Sequence, residues 1–149
     1  MRILMLGNSF TSTNHMPDIL AKLTGAEVVQ HTRGGARLAE QLNPKTKMGK
    51  RTQEALQSQK WDFVILQEMS NGPISSKKSF LENAGKLCEQ IRENGAKPVF
   101  YATWAYQREG KKLETFGMDY DEMYQQMYEA YHQAAEGNHA LIADVGKKF

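Results

Sequence analysis

The sequence predicts a single α/β domain in which helices cover both faces of a five-stranded parallel sheet, giving three layers. Three observations predict it. Short apolar runs alternate along the 149 residues with stretches of helical periodicity, each run closed by glycine, asparagine or a polar cluster. Phe63-Val64-Ile65-Leu66 is continuously apolar rather than alternating, as expected of a strand buried on both faces. Neither an internal repeat nor a low-complexity segment competes with that pattern.

The elements follow in order. Arg2 to Leu6 is a short strand ended by Gly7-Asn8-Ser9, and Met16, Ile19, Leu20 and Leu23 mark a helix over 16–23. Ala26 to Thr32 is the second strand, broken by Arg33-Gly34-Gly35. The polar stretch from Ala36 to Gln59 is helical in part and interrupted near Pro44. Trp61 to Gln67 is the third strand, and Ser75 to Glu93 a helix stopped by Asn94-Gly95. Lys97 to Thr103 is the fourth strand. Met118 to Glu136 is helical by its Met123, Met127, Ala130 and Tyr131 stripe, and Ala140 to Val145 is the fifth strand. Right-handed crossovers favour the flavodoxin-like order 2-1-3-4-5 for such a chain. That order ordinarily finishes with a helix after the last strand, and the sequence stops at Phe149 without one. One sheet face is then covered by the 16–23 helix alone, so we expect either self-association through the uncovered face or a C-terminally truncated chain.

Composition narrows the function. Nineteen basic against 17 acidic side chains give a net charge of +2 without a long block of either sign, which argues against a nucleic-acid partner. The densest basic cluster, Lys45, Lys47, Lys50 and Arg51, reads as a solvated helix face. A single cysteine excludes an internal disulfide framework, and Cys88 falls among Phe80, Leu81, Ala84, Leu87 and Ile91 as a buried small hydrophobe. The first apolar run, Ile3 to Leu6, is too short for a secretion signal, so a cytoplasmic location with no membrane partner is expected. Neither a metal nor another cofactor is called for by ligand spacing.

In a parallel sheet the loops after the strands open on one edge and share one crevice. Four such loops carry unusual residues: Gly7-Asn8-Ser9-Phe10-Thr11, Arg33-Gly34-Gly35, Gln67-Glu68-Met69-Ser70-Asn71 and Thr103-Trp104-Ala105-Tyr106. Acyl transfer needs a nucleophilic hydroxyl and hydrogen-bond donors aimed at the developing oxyanion. Ser9 with its own N–H, a glycine N–H after the second strand and a carboxamide after the third would supply those parts.

These motifs resemble those of the SGNH (GDSL-like) hydrolases. Gly7-Asn8-Ser9-Phe10-Thr11 is similar to block I, with Asn where the commoner motif has Asp. Gly34-Gly35-Ala36-Arg37-Leu38 is similar to block II, and Trp61 to Gln67 to the strand entering block III. Ala102-Thr103-Trp104-Ala105 resembles the fourth-strand motif of an uncharacterised bacterial branch. The resemblance implies a serine esterase acting on a small ester, such as a carbohydrate O-acetyl group. It implies Ser9 as nucleophile, and the N–H groups of Ser9 and of Gly35, or else Gly34, as oxyanion donors. The third donor is Asn71 or Gln67. Asn8, Trp104 and Tyr106 are expected at the substrate.

The resemblance also implies a histidine base in an Asp-x-x-His motif after the fifth strand. None of His15, His31, His132 and His139 has an aspartate three positions earlier. One deletion would remove both that motif and the final helix, so a truncated and impaired hydrolase is expected, with His15 the best internal substitute. The alternative is a non-catalytic domain holding an anion or small ligand at the first strand-helix loop.

Overall fold

The computed structural model describes residues 1–12, 15–69, 71–103 and 117–144, and for Ser9 and Phe10 the backbone alone. Its strands are β1 (Arg2–Gly7), β2 (Glu27–Thr32), β3 (Phe63–Leu66), β4 (Lys97–Tyr101) and β5 (Leu141–Ala143). Between them run α1 (Ser9–Ser12), α2 (Met16–Thr24), α3 (Leu38–Leu42), α4 (Lys47–Ser58), α5 (Gly72–Ser75), α6 (Lys77–Asn94) and α7 (Tyr120–Gly137). All strand pairs are parallel and the order is β2-β1-β3-β4-β5, as the sequence predicts. Leu6 pairs with His31 on one side and Leu66 on the other, and Leu66 pairs with Phe100. That register brings the ends of β1, β2, β3 and β4 level with one another, which is what gathers their loops.

The strand faces divide by parity. Leu4, Leu6, Val64, Leu66 and Phe100, all fully buried, meet Leu38, Leu56, Phe80, Leu87, Ile91, Met123, Met127 and Tyr131 from α3, α4, α6 and α7. Phe80, Phe100 and Tyr131 pack edge to face, the Phe80 and Tyr131 ring centres 5.2 Å apart, which locks α6 and α7 onto β4. Cys88 is buried in the same cluster, and burial pushes its thiol up to about 11, so it packs as an apolar group. On the other face Ile3 and Met5 are covered by Met16 and Leu20 of α2, with Phe63 and Ile65 half-buried beside them. Leu141 at the β5 end of this face is 54% exposed.

Local signals set most boundaries. Gly25 and Gly95 end α2 and α6 at φ +71° and +94°, backbone that glycine adopts without a Cβ penalty. Thr46 caps α4 by accepting the Gly49 N–H at 2.9 Å, and Asp119 caps α7 by accepting that of Glu122 at 2.8 Å. The helix expected over 75–93 is α6, and Ser76, at φ −136° and ψ 46°, separates it from the additional single turn α5. Among the described residues no helix is long and apolar enough to cross a membrane.

Candidate active site

The candidate nucleophile sits on a turn held from the neighbouring strand. β1 ends at Gly7 and Ser9 opens α1, whose Thr11 and Ser12 N–H groups return to the Asn8 carbonyl at 3.0 and 3.2 Å. Gln67, at the end of β3, is 1% exposed, and its Oε1 accepts both the Asn8 N–H at 3.2 Å and the Thr11 hydroxyl at 2.9 Å. A Cβ on Gly7 would lie 2.8 Å from that Oε1 and closer still to the Thr11 hydroxyl, so only glycine fits.

The double glycine forms a turn closed by the Ala36 N–H to the Arg33 carbonyl at 3.0 Å, with Gly35 at φ +73°. Both glycines are exposed, with open space where a side chain would be. From outside, Arg33 donates to the Gly34 carbonyl at 2.9 Å while its guanidinium grips Glu40 at 2.6 Å. From inside, Asn8 makes the tie. Expected at the substrate, Asn8 is 2% exposed, and its Nδ2 donates to the Ala36 carbonyl at 3.3 Å and the Glu68 carbonyl at 2.9 Å. One buried carboxamide thus joins the loops after β1, β2 and β3.

Of the two candidate third donors, Gln67 turns its carboxamide inward. Its Nε2 donates to the Glu68 carbonyl at 2.6 Å, and its Oε1 is the anchor described above. Asn71 is half-buried at the start of α5, where its Oδ1 accepts the Ser75 hydroxyl at 3.2 Å. Trp104 and Tyr106 lie outside the described residues.

Glu68, which the sequence shows only as a member of the loop after β3, is tied to three other segments. It is 4% exposed, and its Oε1 accepts the N–H groups of Met69 at 2.7 Å and Leu38 at 3.2 Å. Its own N–H donates to the Tyr131 hydroxyl at 3.1 Å. Burial pushes the Glu68 carboxyl above the usual range, against the opposing pull of those two N–H groups and of Arg37. Burial likewise pushes the Tyr131 phenol up, so it stays a neutral acceptor. The sequence carried little signal for it, since an acidic residue in a loop after a strand is ordinarily exposed.

Three of the four histidines stand on other elements than this turn. His31 is buried on β2, its Nδ1 2.9 Å from the Thr52 hydroxyl, and burial, with Arg51 nearby, lowers its pKa to about 4. His132 pairs with Asp144 at 2.7 Å beside β5, three strand positions from β1, or about 14 Å at the usual strand spacing. His139 precedes β5 at the opposite edge of the sheet. His15 shares the first loop but is exposed, its Nδ1 3.7 Å from an Asp18 carboxylate oxygen. Among the described residues there is no cluster of three or more His, Cys, Asp or Glu that could hold a metal ion.

No protein-family profile matches the chain, and neither does any curated protein. Solved structures do. A protein from Slackia heliotrinireducens described as a "putative SGNH hydrolase" shares 53% identity at a TM-score of 0.97, over 100% of this chain and 81% of that one. A DUF4886 family protein from Bacteroides uniformis is 19% identical at a TM-score of 0.65, over 95% of this chain and 66% of its own. The acetyl xylan esterase AlAXEase is 12% identical at 0.66, over 99% and 79%, a likeness of fold. The level of identity to the Slackia protein, together with the sheet order and the first-loop serine, establishes that this chain belongs to the SGNH hydrolases.

Proposed function

We propose that this protein is a serine esterase acting on small esters, in which the Ser9 hydroxyl attacks the acyl carbon. Ser9 Oγ bonds to the acyl carbon as its O–H bond breaks and the carbonyl electrons move onto oxygen. Their return expels the alcohol, which takes up the serine proton, and water then cleaves the acyl-serine ester, releasing the acid and returning a proton to Ser9. The Ser9 N–H, the Gly35 N–H and the Asn71 carboxamide stabilise the oxyanion. Asn71 is preferred to Gln67 because both ends of the Gln67 carboxamide are committed to the turn. The observation that carries the reading is the Asn8 tie, which links the serine loop to the double-glycine loop and to the loop after β3.

An acetylated carbohydrate is the favoured substrate class. The fold-level likeness to an acetyl xylan esterase supports it, as do the aromatic Trp104 and Tyr106 placed by the sequence after β4. None of the four histidines has an aspartate three positions before it, and on this reading turnover is slowed by the several powers of ten that loss of a triad base implies.

Hydrolysis of p-nitrophenyl acetate and of acetylated xylo-oligosaccharides, with Ser9→Ala alongside, tests the reading. Ester hydrolysis that disappears in Ser9→Ala is expected. Equal rates in both proteins would remove Ser9 from the chemistry, and heat on titration with phosphate in their place would favour an anion-binding loop.

A further inference from the structure

We propose that Glu68 is a positioning residue for the oxyanion hole, setting the double-glycine turn against the loop after β3 by accepting the Leu38 and Met69 N–H groups on one carboxylate oxygen. The proposal rests on the esterase reading, since it names what holds two of that reading's donors in register.

The two N–H groups come from different loops. Leu38 opens α3, three residues after Gly35, and Met69 lies two residues before Asn71. Glu68 Oε1 is 3.2 Å from the first and 2.7 Å from the second, so one atom fixes the spacing between the segments that carry the proposed donors. The rest of the residue is equally pinned. Its carbonyl accepts from Asn8 Nδ2 at 2.9 Å and Gln67 Nε2 at 2.6 Å, and its N–H reaches Tyr131 on α7. A shift of the Glu68 backbone or of its Oε1 therefore moves the serine turn, the glycine turn or the helix behind them.

The surroundings are shaped to admit this side chain. A Cβ on Gly72 would lie 2.6 Å from Glu68 Cγ, so the residue after Asn71 must be glycine for the acid to reach across. An acid is an expensive choice for a site that is 4% exposed, because burial disfavours its charged form. An apolar side chain of the same size would leave both N–H groups without an acceptor. Glutamate or glutamine reaches them, and aspartate, one methylene shorter, does not.

Because the oxyanion exists only at the transition state, a misplaced donor lowers kcat and leaves KM in place, whereas general loosening of the crevice moves both. The experiment takes the full chain with Glu68→Gln and Glu68→Asp. It measures kcat and KM on p-nitrophenyl acetate, amide hydrogen exchange at Leu38 and Met69, and thermal unfolding. Glu68→Gln is expected to keep kcat within about threefold of the parent, because its amide oxygen accepts both N–H groups. Glu68→Asp is expected to lose roughly tenfold to a hundredfold in kcat, the scale of a small misplacement, with KM unchanged. Exchange at Leu38 and Met69 should rise in Glu68→Asp while the β1 and β3 amides stay protected.

An unchanged kcat in Glu68→Asp, or equal losses in both variants, would overturn the proposal. If the parent shows no Ser9-dependent turnover, the esterase reading fails on its own. The exchange measurement still decides Glu68, since retained protection at Leu38 and Met69 in Glu68→Asp would refute its bridging role.

Discussion

The Thr11 hydroxyl and Gln67 Oε1 stand 2.9 Å apart, and the same oxygen takes the Asn8 N–H at 3.2 Å, so the turn that presents Ser9 is shaped by a side chain from the strand next to it. The loop is therefore not an independent hairpin of small residues. Its conformation depends on the β1–β3 pairing that brings Leu6 and Leu66 side by side and delivers Gln67 to the turn.

Replacing Gln67 by alanine leaves a buried N–H and a buried hydroxyl without their acceptor. We predict a loss of about 2–4 kcal/mol in urea denaturation, on the scale of two unsatisfied buried groups. Ester hydrolysis should fall with it. A variant as stable as the parent would mean that the turn holds itself.

Gly7→Ala forces a methyl group against Gln67 Oε1 and the Thr11 hydroxyl. The predicted cost is about 1–3 kcal/mol, the usual penalty for overfilling a packed site. Gly34→Ala is the comparison, because the space beside Gly34 is open, and it should be close to neutral in the same denaturation.

Tyr131→Phe keeps the ring that packs edge to face on Phe80 and Phe100 and removes the acceptor of the Glu68 N–H. A destabilisation of about 1–2 kcal/mol is predicted, with the aromatic cluster intact by near-ultraviolet circular dichroism. A loss of that dichroism would show that the hydroxyl also sets the ring packing.

His31 predicts an acid limb of stability. In the unfolded chain its ring binds a proton near pH 6.5, whereas in the folded protein burial, with Arg51, holds it neutral until about 4. Between those values the unfolded state binds more protons. Stability is therefore fully present above pH 6.5 and falls as the pH drops towards 4, by on the order of 2 kcal/mol. His31→Asn should flatten that part of the melting-temperature profile. An unchanged slope would assign it to carboxyl groups instead.

Most of the fold could be read from the sequence because a parallel sheet buried on both faces leaves continuous apolar runs, as in Phe63 to Leu66, and glycines such as Gly25 and Gly95 where helices must stop. The single turn α5 could not, since Gly72-Pro73 reads equally well as a plain turn. At the site, the residue types were legible and their directions were not. A sequence shows that Asn8 and Gln67 carry amides, but not that both are turned inward to bind Ala36, Glu68 and Thr11. Tyr131 read as one more member of a helical core stripe, which it is. Its hydroxyl reaches Glu68 because α7 packs against α5, the turn that follows the loop after β3.

The central claim is that the Ser9 hydroxyl is the nucleophile and lies beside oxyanion donors, and a covalent phosphonate probe tests it most directly. Incubation with an alkyl fluorophosphonate, followed by peptide mapping in a mass spectrometer, should find one adduct, on Ser9, absent from Ser9→Ala and slowed in Gln67→Ala. An adduct that persists in Ser9→Ala, or an unmodified Ser9 in folded protein after prolonged exposure to the probe, would contradict the account.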